Sequence, residues 1–137
     1  MIFLTRRETF NTAHRLFRED YSAEKNLEVF GKCSNANWHG HNYELFVTVS
    51  GMADPHTGMV INLKTLSEIV RTNVIEKLDH KNMNIEVDFM KGRLASTENL
   101  AIAIWEQLSD LIEKNNAKLH CVKLCETENN FVEYFGE

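Results

Sequence analysis

Two histidines separated by a single glycine, His39 and His41, are the residues of this sequence whose types and spacing most directly suggest chemistry. On a strand, alternate side chains point to the same face, so two imidazoles placed this way can share one cation such as zinc. The glycine between them allows a backbone or a ligand to approach closely. The pair predicts either a metal site or two packed histidines. His14 is a candidate third ligand, and three histidines with one open position are typical of catalytic zinc.

Cys33 lies in polar loop sequence a few residues before His39. Free cysteines are often small buried hydrophobes, but this polar setting favours a chemical role. The neighbouring Lys32 and a nearby cation would favour the thiolate, which is a usable base or nucleophile. Two hypotheses follow. Cys33 is either a free thiol beside an open metal site, or a third ligand in a non-catalytic, zinc-stabilised binding module.

Asp79, His80 and Glu126 stand where predicted elements end, and residues at such positions are usually ordinary solvated polar groups. For Asp79 and His80 the residues alone favour that interpretation, although a carboxylate beside an imidazole can orient it for proton transfer. Glu126 follows an apolar strand. Its carboxylate could alternatively accept two N–H bonds from an amidine-like edge.

The composition indicates one soluble domain covering residues 1–137, with 43% hydrophobic and 26% charged residues. A net charge of -5 argues against nucleic-acid binding, which needs a basic face. No apolar run has membrane-spanning length and the start does not resemble a signal peptide, so we expect a cytoplasmic protein that binds no membrane. The three cysteines are expected to be reduced thiols, because an odd count does not suggest a disulfide framework.

The elements that must position these residues follow from hydrophobic periodicity, and they predict an α+β fold with antiparallel strands. If the second strand extends back to His39, both imidazoles of the His-Gly-His pair share its apolar face. The polar segment 15–38 reads as an irregular connection. The sequence predicts strands over 1–14, 41–51, 118–126 and 130–136, and helices over 62–78 and 97–114.

Six stretches in this order make the chain resemble the family of 6-pyruvoyl-tetrahydropterin synthase and 6-carboxytetrahydropterin synthase over essentially its whole length. The resemblance implies the tunnelling fold (T-fold), a four-stranded antiparallel sheet with two helices on one face. It also implies that sheets join into a barrel in a homohexamer of two stacked trimers, with active sites between subunits. The stretches are FNTAHRL, LEVFGKCSNANWHGHNYE, DPHTGMVINL, KLDHKN, ASTENLAIAIW and CETENNFVEYFGE.

The resemblance also implies roles for individual residues. Cys33 would be the catalytic thiol, and Asp79 with His80 a proton-relay pair that completes the site from a neighbouring subunit. Glu126 would anchor the pterin. One Zn²⁺ per subunit would be held by three histidines, His14, His39 and His41. Two residues would lie near the pterin with less defined roles, Thr97 and Glu98. The resemblance assigns no triphosphate contacts, for which the basic candidates are Arg15, Lys32 and Arg93.

The implied substrate is 7,8-dihydroneopterin triphosphate, and the implied reaction is an internal redox elimination that needs no nicotinamide or flavin. One branch of the family, carbon–oxygen lyases of tetrahydrobiopterin biosynthesis, makes 6-pyruvoyl-tetrahydropterin. The alternative branch, carbon–carbon lyases of queuosine biosynthesis, makes 6-carboxytetrahydropterin and releases acetaldehyde and triphosphate. Five residues separate Cys33 from His39, which is the pyruvoyl spacing and favours that branch. Trp38 departs from the smaller residue expected before the histidine pair.

Overall fold

Two long antiparallel strands, β1 (Ile2–His14) and β2 (His39–Gly51), form the centre of the sheet in this computed structural model, which describes residues 1–137. Their register ends with His14 directly opposite His39. Alternate residues of β2 are buried, beginning at Tyr43, as the two-residue period of a strand requires. Both predicted strands are confirmed. The second begins at His39, which places the whole His-Gly-His motif on a strand.

Three further strands complete the sheet: β3 (Lys81–Asn82), β4 (Lys118–Cys125) and β5 (Phe131–Tyr134). The spatial order is β3-β1-β2-β4-β5. Strand β4 pairs antiparallel with β2, and β5 pairs antiparallel with β4. The four-stranded antiparallel sheet expected from the sequence is therefore present, and its last two strands lie where the alternation predicted them.

The two-residue strand β3 was not predicted, and it pairs in parallel with β1 at Thr12 and Ala13. It has no hydrophobic alternation that could signal a strand. Instead it forms because the chain after Asp79 runs along the open edge of β1. The backbone N–H of His80 donates to the Asn11 carbonyl, and that of Met83 to the Ala13 carbonyl, at 2.6 and 2.9 Å. The pairing satisfies part of an edge that would otherwise remain open.

The connection between β1 and β2 is more ordered than its polar sequence indicates. It contains helix α1 (Ala23–Phe30), capped by Ser22, whose Oγ accepts the N–H of Lys25 at 3.1 Å. A one-turn 3₁₀ helix (Gly31–Ser34) follows at once. The expectation of an irregular segment over 15–38 was thus wrong. Helix α1 buries only Asn26, so it lacks the apolar stripe by which helices are recognised in sequences.

The two helices predicted from apolar stripes are both confirmed. Helix α2 (Leu63–Val70) continues through a π-helical segment (Arg71–Ile75) into a last turn, α3 (Glu76–Leu78), so that one helical run covers the predicted span. Helix α4 (Thr97–Glu113) begins after Ser96, whose Oγ accepts the N–H of its third residue at 3.2 Å. None of the helices combines the length and the apolar character that a membrane-spanning segment requires.

The hydrophobic core lies between one face of the sheet and the two longer helical runs. The other face carries polar pairs, such as Thr5 with Thr48 and Asn11 with Asn42, whose side chains bond across β1 and β2 at 2.8 and 2.6 Å. The helices therefore cover one face only, as expected. The residues buried between the sheet and the helices include Leu45, Val47, Val49, Leu66, Val70, Leu100, Ile104, Leu108, Val122 and Leu124.

Candidate metal and active site

Three histidines meet at the end of the β1–β2 pairing, on the face of the sheet that the helices cover. His14 ends β1, and His39 and His41 stand on alternate positions at the start of β2. One nitrogen of each ring lies within 4.8 Å of the others, so the cluster could hold a metal ion. Gly40 permits the close strand pairing, because a Cβ added there would stand 3.2 Å from the Thr12 carbonyl oxygen.

The chemistry of the three rings suits a cation. Nδ1 of His14 donates to the Ala95 carbonyl at 2.7 Å, which leaves Nε2 as the lone-pair nitrogen. Burial lowers the pKa of His14 and of His39, which favours the neutral imidazole that metals bind. Three buried ring nitrogens have no hydrogen-bond partner: His14 Nε2, His39 Nδ1 and His41 Nε2. Buried polar atoms without partners are uncommon, so this set fits a metal.

Glu126 links this cluster to the start of helix α4. Its Oε2 accepts a hydrogen bond from Thr97 Oγ1 at 2.9 Å. Its Oε1 lies 2.9 Å from His41 Nε2 and 3.7 Å from His14 Nε2, although neither contact is aligned as a hydrogen bond. These contacts follow no local sequence pattern, because they depend on how the end of β4 meets the start of α4. One carboxylate therefore faces both the histidines and the helix start.

The three residues expected near a pterin line one cleft of about 310 Å³, together with Asn130 and the first two residues of β5. Thr97 is buried at the cleft wall, while Glu98 is exposed in the first turn of α4. The structure thus brings Thr97, Glu98 and Glu126 together. Tyr43, on the buried face of β2, is a further residue of this region, with its ring centre 5.8 Å from that of His41. Its buried hydroxyl has no partner, and burial, followed by the Glu126 charge, raises its pKa.

Cys33 lies in the 3₁₀ turn, which bonds to the chain just after His14, and it is not part of the cluster that could hold a metal. Its carbonyl accepts the N–H of Leu16, two residues beyond His14, at 2.8 Å. The next carbonyl, of Ser34, accepts Nε of Arg15 at 2.9 Å. Cys33 is half-buried and forms no disulfide. This geometry favours a thiol held near the histidines over a thiol that binds the metal with them.

Trp38 connects the Cys33 turn to the first histidine of β2, in a left-handed backbone conformation with φ of 64°. A bulky side chain in that region costs about 1–2 kcal/mol, which glycine avoids. This is a physical reason for expecting a smaller residue at the position.

Asp79 and His80 are not brought into the histidine cluster. Asp79 Oδ1 accepts the N–H of Asn11 at 2.8 Å, and its Oδ2 lies 2.9 Å from His80 Nδ1. Asn11 is three residues from His14, which is about 10 Å along a strand. The His80 side chain is 82% exposed, and its backbone is left-handed, with φ of 60°. The two side chains form the expected contact with each other, at the outer edge of the sheet.

The fold and the site together define an α+β protein with a three-histidine centre that could hold a metal. The family model for 6-pyruvoyl tetrahydropterin synthase matches residues 3–137. A Dictyostelium discoideum protein named 6-pyruvoyl tetrahydrobiopterin synthase is 46% identical over 99% of this chain and 97% of its own length. The chain belongs to the 6-pyruvoyl tetrahydropterin synthase family.

Two other relatives bear on the fold and on the branch of the family. The solved structure of Caenorhabditis elegans 6-pyruvoyl tetrahydropterin synthase superposes with a TM-score of 0.91 at 37% identity, covering 99% of this chain and 96% of that one. The T-fold implied by the resemblance is thereby confirmed. A Bacillus subtilis 6-carboxy-5,6,7,8-tetrahydropterin synthase is 29% identical over 71% of this chain and 64% of its own length. The similarity is therefore higher and longer on the pyruvoyl side.

Proposed function

We propose that this chain is a zinc-dependent lyase that converts 7,8-dihydroneopterin triphosphate to 6-pyruvoyl-tetrahydropterin, with elimination of triphosphate. The observation that carries the proposal is the cluster of His14, His39 and His41, with its unpartnered nitrogens, in a chain that belongs to this family. These residues would hold one Zn²⁺ per subunit. When bound, zinc supplies Lewis-acid chemistry that acidifies the substrate's side-chain hydroxyls and the adjacent C–H bond.

Cys33 is proposed as the base that removes a carbon-bound proton, which comes to rest on its Sγ. Two observations support this role. The thiol lies outside the ligand cluster, so it is free to react. Backbone bonds from Leu16 and the side chain of Arg15 hold the turn that carries it, and a base must be fixed within reach of the proton it abstracts.

Glu126 is proposed to anchor the pterin by accepting N–H bonds from the 2-amino group and the neighbouring ring nitrogen. The cleft that it lines with Thr97 and Glu98 supports this, because it offers a carboxylate held in one orientation by a hydroxyl. A charge-assisted pair of parallel bonds fixes both the position and the orientation of a planar ring.

Asp79 and His80 are proposed to move protons at the site of a neighbouring subunit, in a homohexamer of two stacked trimers. Their contact with each other, and the exposure of His80 at the outer edge of the sheet, support this role. An exposed edge pair can serve another chain when the edges of two sheets meet. Light scattering of the purified protein tests the assembly, and a monomer would exclude this part of the proposal.

The decisive experiment supplies 7,8-dihydroneopterin triphosphate to metal-loaded protein without added nicotinamide and identifies the products by mass spectrometry. A pyruvoyl side chain and free triphosphate are expected, because tautomerisation passes reducing equivalents from the side chain into the ring. A carboxylate-bearing ring with acetaldehyde would overturn the proposal in favour of the carboxy branch. No release of triphosphate would exclude both reactions.

A further inference from the structure

A second cleft, of about 470 Å³, lies next to His14 in the chain and is lined by residues that follow β1 and precede α4. Ala95 lines it, and the Ala95 carbonyl is the group that holds Nδ1 of His14. Arg15, the residue after His14, lines it as well. The cleft therefore begins one residue away from the proposed metal site, and it shares no lining residue with the cleft proposed for the pterin.

The lining of this cleft carries three arginines and two carboxylates, a surplus of positive charge. Two of the arginines already have partners within the chain. Arg18 donates from Nε and Nη2 to the two oxygens of Asp20, both at 2.8 Å, and Arg93 pairs with Glu106. Arg15 has no carboxylate partner, so its charge is the one available to an anion that enters the cleft.

The guanidinium of Arg15 is also held in place before any ligand arrives. Its Nε donates to the Ser34 carbonyl at 2.9 Å, and its Cζ lies 4.1 Å from the centre of the Phe17 ring. Asn84 bonds both the N–H and the carbonyl of Arg15, at 3.1 and 2.9 Å. The two terminal nitrogens form no hydrogen bond within the chain. Such a prearranged fork binds phosphate with little further loss of side-chain freedom.

We propose that Arg15 binds the phosphate chain of the substrate in this cleft through its two terminal nitrogens. The identity of the substrate rests on the proposed function, whereas the anion site rests on the geometry of the cleft. The planar guanidinium matches two phosphate oxygens, giving two parallel charge-assisted bonds. Because Arg15 also holds the Ser34 carbonyl, a phosphate bound there lies next to the turn that carries Cys33.

The test measures binding of inorganic tripolyphosphate to the purified full-length protein by isothermal titration calorimetry. Metal content is determined before and after, because polyphosphate chelates divalent cations. The wild-type protein is expected to bind, and Arg15→Gln to lose about tenfold or more in affinity. Arg15→Lys, which keeps the charge and loses the fork, is expected to lie between the two.

Two matched variants control for general charge effects within the cleft. Arg18→Gln should lower the affinity for tripolyphosphate by less than about threefold, because Asp20 already neutralises the charge of Arg18. Glu19→Gln should strengthen binding, because it removes a carboxylate from the lining. If Arg15→Gln does not fold, as judged by circular dichroism, Arg15→Lys and Glu19→Gln still decide the question.

The inference is overturned if wild-type protein does not bind tripolyphosphate, or if folded Arg15 variants bind it as wild type does. In the latter case Arg15 only positions the Cys33 turn, and its variants would lower kcat without changing tripolyphosphate affinity. Failure of the proposed function looks different. The protein would then bind tripolyphosphate through Arg15 yet release none from 7,8-dihydroneopterin triphosphate, and the anion site would stand.

Discussion

Thr97 Oγ1 donates to Glu126 Oε2 at 2.9 Å, so the first residue of helix α4 fixes the carboxylate at the end of β4. The other oxygen of the same carboxylate lies 2.9 Å from His41 Nε2. A single side chain thus lines the cleft beside helix α4 and also touches the histidine cluster. A change in the orientation of the Glu126 side chain should therefore alter both the cleft and the surroundings of His41.

Removing the hydroxyl of Thr97 should therefore weaken substrate binding more than it weakens the fold. We expect Thr97→Val, which keeps the shape of the side chain, to raise KM about 10- to 150-fold, because a hydrogen bond to a charged group contributes about 1.5–3 kcal/mol. Steady-state kinetics with 7,8-dihydroneopterin triphosphate measures this. Thr97→Ser retains the hydroxyl and should stay near wild type. An unchanged KM in Thr97→Val would show that Glu126 does not depend on this bond.

Zinc should bind to the histidine cluster and stabilise the folded protein. At a free zinc concentration of about 100 times Kd, the gain is about 2.7 kcal/mol, or a rise in Tm of about 8–12 °C for a chain of this size. Thermal denaturation of chelator-treated protein, with and without added zinc, checks this. His39→Ala should abolish the shift. His56→Ala, in an exposed turn outside the cluster, should retain it, and loss of the shift there would point to binding elsewhere.

Replacement of Cys33 should remove activity and leave the metal in place. We expect Cys33→Ala to lower kcat by at least about a hundredfold, the usual contribution of a general base, with zinc content near that of wild type. Measuring zinc content together with kcat distinguishes a free catalytic thiol from a thiol that is a zinc ligand. If Cys33→Ala loses its zinc and unfolds, the thiol is a ligand and the binding-module hypothesis is favoured. Cys121→Ala, a buried thiol on β4, controls for loss of a cysteine as such.

Asp79 should make the stability of the protein depend on pH in the acid range. The N–H of Asn11, followed by the contact with His80, lowers the pKa of the Asp79 carboxyl below its ordinary value of 3.8. A carboxyl with a lowered folded-state pKa contributes stability above its unfolded pKa and loses it as pH falls through the folded one. Urea unfolding between pH 6 and about 3 should thus show a shallower decline in Asp79→Asn. An identical slope in both proteins would contradict this.

The sequence was sufficient to predict the strands and helices whose apolar residues recur with a clear period. Strand β2 and helix α4 were predicted within two residues of their ends, and strand parity placed His39 and His41 on one face before the structure showed it. The elements that were missed lack such a period. Helix α1 is almost entirely exposed, and β3 is two residues that pair only because the fold brings them to the edge of β1.

The site was predictable in its residue types but not in its contacts. The contact of Glu126 with Thr97 and His41 joins the end of β4, the start of α4 and the start of β2, and no local pattern carries that information. The sequence also could not predict that the two terminal nitrogens of Arg15 have no partner within the chain. Lys32 and Arg93 were candidates of the same kind in the sequence, and only the pairing of Arg93 with Glu106, and the position of Lys32 outside the cleft, distinguish them.

The register of β1 against β2 has a consequence for folding. His14 and His39 face each other where the long connection 15–38 leaves and re-enters the sheet. A cation held by both would close that connection at its base, much as a disulfide closes a loop, and would restrict the unfolded chain. Cys33 lies inside the loop that would be closed, so metal binding and ordering of the turn that carries Cys33 would be thermodynamically coupled. Protein made without metal should then show faster amide hydrogen exchange across this whole connection than in the helices.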